Sequence, residues 1–74
     1  MVMNIWAKRG DKVIYKYPNN GYPHDQEDAK KYLVLNKVYT VKETVVWDSI
    51  SYVWLEEIPG IPFNCGHFED CGEN

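Results

Sequence analysis

Hydrophobic and polar positions alternate along much of this 74-residue chain, and the alternation predicts strands. Residues Lys12 to Tyr17 put Val13, Tyr15 and Tyr17 on one side of an extended segment and Lys12, Ile14 and Lys16 on the other. Pro18 ends that strand. The stretch from Pro18 to His24 is dense in Pro, Asn and Gly, which predicts a long first loop. Within the loop Asp25 can cap a helix of one or two turns. Glu27 and Asp28 then lie in its first turn and Lys30 and Lys31 in its last, the order that a helix dipole favours. So short a helix must be tied to the body by Tyr32, Leu33 and Leu35.

The β-branched and aromatic run from Lys37 to Trp47 predicts a second strand, with Tyr39 and Val41 facing inward. Its alternation lapses from Glu43 to Val46, where a bulge is expected. Asp48 and Ser49 turn the chain into a third strand, Ser51 to Glu57. Val53 and Leu55 face one side of it, and Tyr52, Trp54 and Glu56 the other. Ile58-Pro-Gly-Ile61 has the composition of a type II turn. Phe63 and Phe68 return to the core, separated by a segment the length of one 3-10 turn, Asn64 to His67. The predicted core is Val13, Tyr15, Tyr39, Val41, Val53, Leu55, Phe63 and Phe68.

Composition supports one domain with a real core: three Trp, six Tyr and two Phe can each bury roughly 150–250 Å². No apolar run approaches the ~20 residues of a membrane helix. The first residues also lack the apolar stretch of a signal peptide, roughly 7–15 residues long. With only Cys65 and Cys71 there is no disulfide framework. The expectation is a cytoplasmic protein with no membrane partner.

Charge changes the picture more. Residues 1–42 carry all eight Lys and Arg against four acids, whereas residues 43–74 carry seven acids and neither Lys nor Arg. A uniformly basic nucleic-acid groove is disfavoured, and a basic partner for an acidic surface is favoured.

The residues Gly10-Asp11, Lys37-Val-Tyr-Thr-Val41, Val53-Trp-Leu-Glu-Glu57, Pro59-Gly60, Phe63 and Phe68-Glu69 form a pattern. In it the chain resembles the small SH3-like barrel proteins encoded by tailed bacteriophages and prophages. The match covers residues 10–69. Asn36 stands where that family usually has Gly, a tolerable change because Asn also enters the left-handed region. The resemblance implies an all-β, five-stranded SH3-like barrel whose long first loop holds a short helix and whose last strand follows a 3-10 turn. Residues 1–9 are then expected as an arm or extra strand, 10–71 as the barrel and 72–74 as a frayed polar tail, and the phage likeness implies a bacterial host cell. Proline-peptide recognition is not implied, since the motifs of peptide-gripping SH3 modules are absent.

Candidate chemistry is sparse. His24, Cys65, His67 and Cys71 are zinc-ligand types, but one residue between Cys65 and His67 and three between His67 and Cys71 fit paired-ligand spacing poorly. The competing reading makes Cys65 a packing residue, leaves His67 exposed and puts Cys71 on the tail. A Cys-His nucleophile lacks a third orienting group, so no enzyme and no cofactor are expected. The outward side chains of the third strand are more informative. Trp47, Tyr52, Trp54 and Glu56 compose an aromatic and acidic patch for a host or phage protein with a basic or apolar surface. The long loop with Tyr22 and Tyr32, or the arm with Ile5 and Trp6, would cover it in the opposing reading. An alternative is nucleic-acid binding through Lys8, Arg9, Lys12 and Lys16. A third is self-assembly through the same aromatic face. The leading expectation is a non-enzymatic binding module, acting as an inhibitor or modulator of a host protein.

Overall fold

The computed structural model describes residues 2–71; the expected frayed tail, 72–74, lies outside them. Along the chain come β1 (Lys12–Tyr15), α1 (Pro23–Tyr32), β2 (Val38–Val46), β3 (Ser51–Leu55), β4 (Ile58–Asn64), a 3-10 turn (Cys65–His67) and β5 (Phe68–Asp70). All pairings are antiparallel, and the sheet order is β4-β3-β2-β1-β5. The sheet is open between β4 and β5, so the fold is a small five-stranded antiparallel sheet with one short helix.

The long β2 belongs to both halves of the sheet. Val38 to Thr40 pair with β1, and Val41 to Val46 pair with β3. Between Val41 and Glu43 the register shifts and leaves Lys42 unmatched, slightly ahead of the expected bulge. All eight predicted core residues are buried. They are joined by Met3 and Ala7 from the arm, Ala29 and Leu33 from the helix region, and Cys65.

Three expectations are corrected. The helix has ten residues and begins at Pro23, because proline's missing N–H is no loss in a first turn; Tyr22 is the cap residue. Asp25 sits at the third helical position, where its Oδ2 accepts from the Tyr22 backbone N–H at 3.2 Å. Ala29 and Leu33, four residues apart on one face, anchor the helix, whereas Tyr32 and Leu35 are exposed. The third correction concerns Ile58 to Ile61. The chain reverses at Glu56 and Glu57 instead, and Ile58 to Ile61 enter β4 as a bulge. Leu55 pairs with Ile58, but Trp54 already pairs with Pro62. Gly60 has φ 86°, the value that position i+2 of a type II turn demands, so local turn chemistry survives inside the strand. Asn36 adopts φ 70°, as its place in the pattern required.

Both sheet edges are blunted. The arm lies along β5, where the Met3 N–H donates to the Phe68 carbonyl at 2.8 Å and the Asn4 N–H to Asp70 Oδ1 at 3.1 Å. Helix α1 packs against β4, whose Pro59 and Pro62 have no N–H to offer a further strand.

Candidate functional site

Strand pairing fixes which side chains share the outward face of β2, β3 and β4. Val53 pairs with Thr44 and Phe63 on the core side, so the neighbouring rows face outward. One outward row is Val45, Tyr52 and Asn64; the next is Glu43, Trp54 and Pro62. Trp47 extends the first row at the hairpin end, where its N–H donates to the Ile50 carbonyl at 2.8 Å and closes the turn. Its ring stands edge-on to Tyr52, with centroids 6.4 Å apart. Trp47 is 65% exposed, while Tyr52 and Trp54 are half-buried.

The start of α1 borders this face. Asn64 Nδ2 donates to Asp25 Oδ2 at 3.2 Å, and beyond it Tyr22 and His24 stack with centroids 6.0 Å apart. Burial pushes the Tyr52 phenol above its ordinary value, and the nearby Asp25 and Tyr22 push it further. The row therefore runs Trp47, Tyr52, Asn64 with Asp25, then Tyr22 with His24. The N-terminal arm goes elsewhere. Met3 and Ala7 are buried, Ile5 packs on the core, and the inward Thr44 hydroxyl donates to the Ala7 carbonyl at 3.3 Å. Trp6 is 70% exposed. Of the two expected covers, the helix start adjoins the face at its Asn64 edge and the arm lies on the core side. Between arm and hairpin tip is a groove of about 270 Å³ lined by Ile5, Val46 and Trp47 to Ser51.

Glu56 sits at the opposite end of β3, in the turn, with its Oε2 3.7 Å from Arg9 Nε. The acid across from Trp54 is Glu43. Sequence reasoning missed Glu43 because a bulge moved by one or two residues reverses which side chains face out. It missed Asp25 by reading it as a cap alone.

Three of the four basic candidates lie among acids. Arg9 faces Glu56. Lys12 Nζ donates to the Thr40 hydroxyl at 2.8 Å, and that hydroxyl donates to Glu57 Oε2 at 2.8 Å. The Thr40 N–H donates to Glu57 Oε1 at 2.9 Å. Burial alone would raise the Glu57 carboxyl, but the Thr40 hydrogen bonds and the charge of Lys12 outweigh it and hold it below its ordinary value. Lys16 is near Glu69, whose carboxyl is lowered first by the Tyr17 hydroxyl bonded to it at 2.7 Å. Lys8 is exposed.

The zinc-type residues are dispersed, and among the described residues no three His, Cys, Asp or Glu side chains group as a metal site. His24 is exposed on the helix, Cys65 is buried and Cys71 is half-buried. His67 is corrected from exposed to fully buried, because the 3-10 turn carries its ring beneath the chain leaving β1, with Nδ1 2.9 Å from the Tyr17 carbonyl oxygen. Burial pushes the Cys65 thiol up, partly opposed by a hydrogen bond with Ser51.

The site is an aromatic outward sheet face, bordered by acids, on a small antiparallel sheet. A family model described as Bacteriophage T4 protein Y07B matches residues 4–73, and the chain belongs to that family. The membership supports a phage origin. No curated protein and no solved structure matches the chain.

Proposed function

We propose that this chain is an SH3-like barrel module of non-enzymatic function that binds another protein through the outward face around Trp47, Tyr52 and Trp54. Five short antiparallel strands with a 3-10 turn before the last support the barrel assignment. The observation that carries the binding reading is the two-thirds-exposed Trp47 held edge-on to Tyr52 on a face that the arm leaves uncovered. Rigid aromatic rings give large contact area at low entropic cost and dominate interface energies. Phage family membership favours a host or phage protein as partner, with inhibition or modulation of a host protein in the bacterial cytoplasm as the outcome. The interleaved acids disfavour the nucleic-acid reading of Lys8, Arg9, Lys12 and Lys16.

The test is capture from a host lysate by the tagged wild type, Trp47→Ala and Trp6→Ala. A specific protein retained by wild type and Trp6→Ala but lost by Trp47→Ala is the expected result. Equal capture by all three sinks the reading.

A second reading, self-association, is favoured by Val34, Leu35 and Val38, three exposed apolar side chains within five residues. Light scattering at high concentration decides it, since a monomer removes it.

A further inference from the structure

The outward face carries acids as well as rings, and their placement narrows the partner. Glu43 lies directly across from Trp54, and Asp48 follows Trp47 at the hairpin tip. Both carboxylates are exposed, and neither forms an ion pair among the described residues. In β2, β3 and β4 the sole Lys or Arg is Lys42, the residue left unmatched by the bulge. The face is thus aromatic and negative, with its charge unspent.

We infer that this face takes a partner segment presenting arginine side chains, with Trp54 and Glu43 as the recognition pair. The inference rests on the protein-binding reading above and names the partner's chemistry. Side chains directly opposite in an antiparallel pair have Cβ atoms about 4.5–5.5 Å apart. A guanidinium lying on the Trp54 ring is then within reach of the Glu43 carboxylate. Guanidinium suits both contacts: it is planar and weakly hydrated enough to stack on an indole, and its N–H fork matches a carboxylate. A lysine ammonium meets the charge but loses the stacking and the fork. Asp25 plays a different part. Its Oδ2 already accepts from Tyr22 and Asn64, and its Oδ1 lies 3.4 Å from His24, so it contributes field and position while Glu43 contributes the contact.

The probes are capped hexaarginine, hexalysine and hexaglutamate peptides, titrated into the ¹⁵N-labelled full chain at low salt. Expected are shifts centred on the Trp54 and Trp47 indole N–H groups and the Glu43 amide. Hexaarginine should bind at least severalfold more tightly than hexalysine, and hexaglutamate should not bind. Glu43→Gln should weaken hexaarginine about tenfold. A Glu27→Gln, Asp28→Asn double variant, which removes two exposed helix acids, should stay within twofold of wild type. Shifts centred on the helix acids, equal binding of the two basic peptides, or a silent Glu43→Gln would each overturn the inference. A stable dimer that hides Trp54 overturns it too. If hexaarginine fails while Trp47→Ala still abolishes lysate capture, the arginine inference falls and the protein-binding reading stands. If hexaarginine binds as expected while Trp47→Ala leaves lysate capture intact, the protein-binding reading falls and the arginine-bearing partner falls with it.

Discussion

The Nδ1 of His67 lies 2.9 Å from the carbonyl oxygen of Tyr17, fifty residues away. A carbonyl only accepts, so Nδ1 donates in this contact, and Nε2 is buried without a hydrogen-bond partner among the described residues. The ring stands edge-on to Tyr15 at 5.9 Å, and the His67 carbonyl accepts from both the Lys16 and Tyr17 N–H groups. His67 thus fastens the 3-10 turn to the chain leaving β1. His67→Ala should cost about 2–4 kcal/mol in urea unfolding, from a cavity plus a lost hydrogen bond. His67→Phe fills the site with a somewhat larger ring and should cost less, about 1–2 kcal/mol, for the acceptor it abandons and the tighter packing. An alanine variant within about 0.5 kcal/mol of wild type would show that the turn holds without the ring.

Glu57 supplies a pH dependence. Its carboxyl titrates below its ordinary value in the folded chain because the Thr40 hydrogen bonds and Lys12 prevail over burial. A depressed folded value means the contribution is complete above the unfolded value, about 4.3. It is lost as pH falls through the folded one. Glu57→Gln should therefore cost about 1 kcal/mol near neutral pH, a charge-assisted bond discounted for exposure. It should also flatten the acid limb of a stability-against-pH curve. Parallel curves for wild type and variant between pH 5 and 2, roughly the span over which paired carboxylates titrate, would refute it.

The period-two pattern made the inner faces of the strands legible, because Val13 with Tyr15, Tyr39 with Val41, and Val53 with Leu55 all alternate with polar or outward neighbours. The same alternation put Tyr52 and Trp54 on one outward face. Glu43 escaped because face assignment beyond a bulge depends on its exact residue. Ala29, Met3 and Ala7 are buried by tertiary contacts that a ten-residue helix and a short arm do not announce. His67 carries a polar label, and only its 3-10 turn, closed by Asn64 Oδ1 accepting from the Gly66 N–H at 2.8 Å, turns it inward.

Gly60 is a site where composition hid the architecture. Pro59-Gly60 is a turn by residue type, yet it forms a bulge inside β4 with Gly60 at φ 86°. A Cβ there would meet nothing within 4 Å, so the cost of Gly60→Ala is backbone strain alone. About 1–2 kcal/mol is expected, since L-residues reach the left-handed region at that penalty. Gly60→Asn should recover part of it. Thermal unfolding of both variants measures this, and an alanine variant as stable as wild type would mean that the bulge relaxes to negative φ.

The two cysteines should separate by rate. Cys65 is 1% exposed, and burial pushes its thiol above the ordinary value, so it is short of both thiolate and access. Cys71 is half-buried at the end of β5, held by its N–H to the Lys12 carbonyl at 3.0 Å. An aromatic disulfide reagent at mildly alkaline pH should therefore modify one thiol promptly. The second should wait for opening of the β4 to β5 connection, whose rate is set by unfolding of the core around Phe63 and Phe68. Cys71→Ser should remove the fast phase and leave the slow one, and Cys65→Ala the reverse. Adding urea below the unfolding midpoint should accelerate only the slow phase. Two equally fast thiols in the native chain would mean that the 3-10 turn opens without the core, and the role assigned to His67 as its fastening would fall with it.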